Sequence, residues 1–270
     1  MSITLPQKVK FQKIADNHEE AIIGPCYPGY GITLGNALKR VLLSSLEGGA
    51  AYAVKIKGVQ HEFSTIPDVL EDVIEIILNL KKIRFKVYSD EGVKVTLEVK
   101  GKKEVKAKDI KTTSDVEIIT PDIPIATLTS SKAEIKMDIF VKKGRGYWPI
   151  EEREDEKEIG VIAIDSFFSP IKKVGLDIEN VRVKQMTNYE NIILNIETDG
   201  TISPQEAVKE ATGILIDQFK FIDSILEGEE TKEKTQPKKK ESKKSEKSQK
   251  EEKAEKKEEK PKSASKKQKK

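Results

Sequence analysis

The chain has 270 residues, 49 Lys and Arg against 46 Asp and Glu, a formal net charge of +3 and one cysteine. That length leaves room for a buried core in one or two domains, and a lone Cys26 excludes a disulfide framework or a cysteine-built metal site. Charged residues make up 35%, above the roughly 25% of an ordinary globular domain, so part of the chain is expected not to be globular.

The first residues, MSITLPQKVKFQ, lack the apolar centre of a secretion signal. No apolar run approaches the roughly 18 residues of a membrane span, so a soluble, cytoplasmic protein is expected. A first helix is predicted over about Thr33–Leu46, with Leu34, Leu38, Val41, Leu42 and Leu46 on one face and Gly48-Gly49 to stop it. A second is predicted over about Pro67–Leu80. Asp68, Glu71 and Asp72 lie in its first turns and Lys81-Lys82 follow its end, both suiting the helix dipole.

Alternating runs then read as strands: AYAVKIKG, IRFKVYS, VKVTLEVKG, DVEIITPD, AEIKMDIFVKK, IGVIAIDSFFSP, KVGLDIENVRV and NIILNIETDG. Their alternation points to half-exposed antiparallel sheets, and strands and helices in blocks point to an α+β fold. A third helix begins at SPQE, where Ser203 caps, Pro204 takes the first helical position and Glu206 completes a capping box. It carries Val208, Ala211, Leu215, Phe219, Ile222 and Leu226, with Ile214 and Phe221 widening the face, so it wants more than one packing partner. From Thr231 to Lys270 the chain holds about 18 Lys and 8 Glu, hence about +10, leaving a body of about −7. With no apolar residue larger than alanine, this tail is expected to be disordered.

The search for chemistry returns little. Tyr30–Leu43, YGITLGNALKRVLL, has glycines ahead of a helix, yet Gly35 is followed by Asn36-Ala37 rather than the Lys-Ser/Thr of a phosphate loop. The spacing is not GxGxxG either. His61-Glu62 lacks the second histidine of a zinc-protease motif, since position 65 is Thr. Asp165-Ser166 has no histidine near it in sequence for a triad. KKGRGYWP fits phosphate contact through Lys142, Lys143 and Arg145 as well as it fits a shaped, solvated loop. A chain with a core, apolar helices and no catalytic cluster is expected to assemble with partners. A free-standing interaction or nucleic-acid-binding protein with a basic tail is the alternative.

GYGITLGNALKRVLLSSLEG followed by VQHEFSTIPDVLEDVIEIILNLKKI closely resembles the N-terminal half of the alpha subunit of bacterial-type DNA-directed RNA polymerase. The likeness continues through KKGRGYWP, EIGVIAIDSFFSPIKKV, LDIENVRV and LNIETDGTISPQEAVKEATGILIDQF, over about residues 6 to 226. It implies a homodimer on which the beta and beta-prime subunits mount, in an enzyme whose magnesium site lies in those partners. No cofactor is implied for this chain, and DNA is met through the assembled complex.

Carried onto these positions, the resemblance implies a dimerisation subdomain from 1–47 and 170–227, made of antiparallel sheet and two long helices. A second, mainly β subdomain of 48–169 is inserted, and 228–270 is the tail. The implied beta-docking residues are Gly29, Gly31, Lys39, Arg40, His61, Glu62, Phe63, Ser64, Thr65 and Lys81. Dimer contacts are expected at Leu34, Leu38, Leu42, Leu215, Phe219 and Ile222, where an ordinary intrachain core position is the competing reading. Lys173–Lys184 matches the beta-prime-contacting region. The family's alpha subunit continues into a compact DNA-contacting domain. Here the Lys/Glu tail stands in that place, so sequence-specific DNA recognition is not expected, and the tail is read as solubilising or weakly attracted to DNA.

Overall fold

A computed structural model of the chain describes residues 3–153 and 160–226; the tail read as disordered lies outside the described residues. The strands in chain order are β1 (Lys8–Ala15), β2 (His18–Cys26), β3 (Glu47–Ile56), β4 (Phe85–Val87), β5 (Val93–Lys100), β6 (Lys103–Lys106), β7 (Ile110–Lys111) and β8 (Val116–Ile118). They continue with β9 (Pro124–Leu128), β10 (Glu134–Arg145), β11 (Tyr147–Trp148), β12 (Val161–Ala163), β13 (Ser166–Phe167), β14 (Ile171–Val183) and β15 (Met186–Thr198). Three helices join them: α1 (Tyr30–Ser44), α2 (Val73–Lys82) and α3 (Pro204–Leu226). The fold is α+β and mostly antiparallel sheet, as the alternating runs imply.

Two cores form, one around each of the two larger sheets; β11 pairs with β13 and β6 with β9 in two small ones. The first sheet has four strands in the order β1-β2-β15-β14. Ala21, Ile23, Ile192, Leu194 and Ile196 from it are buried with Leu38 and Leu42 of α1 and Ala207, Val208 and Ala211 of α3. The second sheet runs β7-β5-β10-β3-β4-β8, with β12 on β3, and buries Val54, Phe85, Leu97, Met137 and Ile139 against Val73, Ile76 and Leu80 of α2. Each such side chain taken from water contributes about 1.5–3 kcal/mol, which is what holds these layers together. The outer face of this second sheet carries cross-strand ion pairs between β5 and β10, Lys136–Glu98 and Lys100–Glu134 in register and Lys94–Asp138 on the diagonal. By compactness, residues up to Ile222 group as one unit, and Asp223 onward fall with the C-terminal segment.

Several boundaries depart from the sequence reading. α2 starts at Val73, not Pro67, because Asp72 caps it by accepting from the Glu75 N–H at 2.8 Å. Glu71 is drawn away to the Thr127 N–H and hydroxyl, and Asp68 takes φ 62°. α1 starts three residues earlier than Thr33 and ends at Ser44. The run IGVIAIDSFFSP breaks into β12 and β13, and DVEIITPD keeps only the three residues of β8. The β1–β2 hairpin had no counterpart among the predicted strands. β1 is almost wholly exposed, as a charged edge strand is, and turns at Asn17 with φ 60°. α3 forms with its capping box in place: Ser203 Oγ accepts from the Glu206 N–H at 3.3 Å and Glu206 Oε2 accepts from the Ser203 N–H at 3.2 Å. The Ser203 hydroxyl, donating to Glu206 Oε2 at 2.9 Å, and then the Ser203 N–H hold the Glu206 carboxyl below its ordinary range.

Candidate functional site

α1 enters from a turn that only glycine tolerates well: Gly29, its N-cap residue, has φ 85°. No cap comes from the turn itself. Instead Glu190 of β15 reaches back, its two carboxylate oxygens accepting from the N–H groups of Gly29 at 3.0 Å and Gly31 at 2.8 Å. A carboxylate there satisfies two orphan donors and meets the positive end of the helix. An added Cβ at Gly31 would sit 2.6 Å from Glu190 Oε2, so a larger residue there would push the carboxylate off its two donors. Glycine here therefore serves a carboxylate of the same chain. Farther along α1, Lys39 is half-buried and Arg40 is exposed, with no ion-pair partner for Arg40 among the described residues.

The segment His61–Thr65 is a turn tied to α2. Ser64 Oγ lies 3.2 Å from His61 Nδ1, and the Ser64 carbonyl accepts from the N–H of Val73, the first residue of the helix. Glu62 is half-buried, Thr65 exposed and Phe63 75% exposed. Leu70, just ahead of α2, is also exposed, as are Ile74 and Leu78, which lie one turn apart on α2, so the turn and this helix together leave several apolar side chains in water. Lys81 closes that helix, its Nζ 3.1 Å from Asp165 Oδ2. It lies inside α2, not after it. Turn and lysine thus sit at the two ends of a ten-residue helix about 15 Å long. No hydrogen bond or ion pair among the described residues joins α1 to either.

Asp165, rejected above as half of a triad, has another occupation. Its Oδ1 accepts from the Ile150 N–H at 3.1 Å while Oδ2 takes Lys81. Burial works to raise its pKa, but the Lys81 hydrogen bond, the Ile150 N–H and the Lys81 and Arg153 charges outweigh that and hold it below the ordinary range. Ser166 is buried, donating to the Ala51 carbonyl at 3.0 Å and accepting from Arg153 at 3.1 Å. Arg153 also donates to the carbonyls of Tyr52, Trp148 and Ile164 and lies over the Trp148 ring at 4.1 Å, with Lys142 3.3 Å from the same ring centroid. Of the basic residues in KKGRGYWP, Lys143 pairs with Asp90 and Arg145 with Glu47.

The apolar candidates divide. Leu38 and Leu42 lie in the core of their own chain, and Leu34 and Leu215 pack partly against it. Phe219 is 64% exposed and Ile222 52% exposed, with Ile216 and Phe221 exposed beside them. α3 therefore buries its first half and leaves its second half apolar and wet. Lys173–Lys184 falls on β14 and the first residue of the turn after it; β14 is the outer strand of its sheet, paired with β15. Among the described residues no three His, Cys, Asp or Glu side chains are grouped to hold a metal, and no helix is long and apolar enough to cross a membrane. The roles of Glu190 and Arg153, the bonding of Asp165 and the exposure of Leu70, Ile74 and Leu78 escaped the sequence reading. Of these only the last left a sequence signal, an apolar repeat too broad for one buried face.

Residues 54–169 match the family model for the RNA polymerase Rpb3/RpoA insert domain. The chain is 44% identical over 235 residues to the DNA-directed RNA polymerase subunit alpha of Aquifex aeolicus, covering 87% of this chain and 73% of that one. It is 45% identical over 221 residues to the subunit of that name from Salinibacter ruber and 47% identical over 222 residues to that from Cytophaga hutchinsonii. Each of those alignments covers 81% of this chain and 67% of the relative.

Proposed function

The chain belongs to the alpha-subunit family of DNA-directed RNA polymerase, and from that premise we propose that it acts in transcription as a homodimeric platform that mounts the beta and beta-prime subunits. The observation that carries the reading is that the folded chain leaves two separate apolar surfaces in water. One is the outer half of α3, with Phe219 and Ile222; the other is Phe63 and Leu70 ahead of α2 with Ile74 and Leu78 on it. Contiguous exposed apolar surface marks a contact site, and two such surfaces fit a chain that meets a copy of itself and a different partner.

In this reading the dimerisation subdomain is 1–47 with 170–227, and 48–169 is the insert. The division is supported by the two cores, one on each side of these limits. Phe219 and Ile222 carry the dimer contact, aided by the half-buried Leu34 and Leu215. Leu38 and Leu42 serve it only by holding α1 in place. Arg40, exposed and without an ion-pair partner among the described residues, offers the beta subunit a planar, always-charged donor, beside Lys39, Gly29, Gly31, the His61–Thr65 turn and Lys81. β14 offers beta-prime an open strand edge. The chain supplies no catalytic group; nucleotidyl transfer belongs to the partner subunits, and DNA is met through the complex.

Gel filtration of the chain with purified beta subunit tests the assignment. Arg40→Ala is expected to keep the dimer and lose co-elution with beta. Normal co-elution of that variant would remove Arg40 from the docking surface, and a wild-type chain that stays a monomer and ignores beta would overturn the reading.

A further inference from the structure

We infer that Asp165 is a positioning residue of the proposed docking surface, holding Lys81 at the end of α2 against the segment Tyr147–Arg153 so that a partner meets the two as one face. This rests on the assembly reading above, in which Lys81 is a docking residue. The carboxylate is itself immobilised. It sits between β12 and β13, with the Ile164 N–H bonded to the Tyr52 carbonyl at 2.9 Å on one side and the buried Ser166 on the other. Its two oxygens are divided, Oδ1 to the Ile150 N–H and Oδ2 to the Lys81 ammonium, each at 3.1 Å. One side chain therefore ties a helix end to a loop distant in sequence.

Arg153 fixes the far end of that loop through the Tyr52 and Trp148 carbonyls, so Ile150 is held from both sides. A lysine side chain is long and flexible, and a partner that must order it loses affinity to that entropy. Here the ordering is done before the partner arrives. An ammonium has three donors and Asp165 takes one, leaving two for carbonyl or carboxylate oxygens of the partner. The next residue, Lys82, is exposed and among the described residues bonds only to Asn79 on its own helix, without comparable support from elsewhere in them.

The test is a double-mutant cycle on the affinity of the full-length dimer for purified beta subunit, using Lys81→Ala, Asp165→Asn and both together. Asn keeps the shape and an oxygen that still accepts from Ile150, and removes only the charge facing Lys81. Each single substitution is expected to weaken binding about three- to tenfold, and Asp165→Asn is expected to add nothing once Lys81 is gone. A role confined to folding would instead add to the Lys81→Ala loss. That additivity, or Asp165→Asn binding normally while Lys81→Ala does not, would overturn the inference and leave the platform intact. If neither Lys81→Ala nor Asp165→Asn weakens binding of beta, Lys81 is not a docking residue and the inference falls with that assignment. If the wild-type dimer itself fails to bind beta, both fall with the platform reading.

Discussion

Arg84 and Asp199 meet across the boundary between the two cores, Nε to Oδ2 at 3.7 Å, with the Asp199 side chain only 5% exposed. Arg84 comes from just before β4 and also donates to the Phe167 carbonyl; Asp199 follows β15 and also accepts from the N–H and hydroxyl of Thr201. Removing one partner of a buried ion pair leaves the other charge stranded. Arg84→Ala is therefore expected to cost about 3 kcal/mol, the low end for such a loss because Thr201 continues to solvate Asp199. Urea unfolding checks this, and a shift below about 1 kcal/mol would mean water replaces the guanidinium.

Glu190→Ala removes the long-range cap of α1. The loss is expected to be about 1–2 kcal/mol, with faster amide exchange at Gly29 and Gly31 than elsewhere in the helix. Unchanged exchange at those two amides would show that water caps the helix equally well.

The two classes of apolar residue should separate cleanly. Phe219→Asp is expected to leave each subunit folded and halve the mass seen by light scattering, because the carboxylate lands in the proposed contact between copies. Leu42→Asp is expected to unfold the chain, since that side chain is fully buried within its own core. A dimeric Phe219→Asp protein would take that residue out of the interface.

Acid should loosen the joint at Asp165. Its folded-state pKa lies below the ordinary 3.8, since Lys81, the Ile150 N–H and Arg153 outweigh the opposing effect of burial. The unfolded chain therefore takes up the proton first as pH falls. The stabilisation is complete above about pH 5 and drains away as pH drops through 3.8 to the lower folded value. Asp109 acts in the same sense, its burial outweighed by Lys103 and the Lys106 N–H. Urea midpoints measured between about pH 5 and pH 3 should fall less steeply for Asp165→Asn than for the wild type; parallel curves would refute this account.

What the sequence made legible was what local chemistry decides. The Ser203–Glu206 capping box and the start of α3 at Pro204 follow from four adjacent residues. The alternation in VKVTLEVK and EIKMDIFVK places β5 and β10. Long-range partners were not legible. Nothing near Gly29 announces that Glu190 will cap it, and nothing near Pro67 says that Thr127 will claim Glu71 and delay α2. Leu38, Leu42, Phe219 and Ile222 look alike on a helical wheel, because periodicity reports which face is apolar but not whether the cover comes from the same chain. The family resemblance pointed to Lys81 and the His61–Thr65 turn. The intervening Leu70, Ile74 and Leu78 needed coordinates to be seen as exposed.

The rungs of opposite sign between β5 and β10 also shape the molecule's approach to others. Lys94 with Asp138, Lys136 with Glu98 and Lys100 with Glu134 bring their own counterions, so from beyond a Debye length of roughly 8 Å this patch of six side chains looks neutral. A charged visitor feels no pull toward it and would have to break existing pairs to settle there. Encounters are thereby left to other parts of the surface, such as the outer side of α1, where Arg40 is exposed and has no ion-pair partner among the described residues.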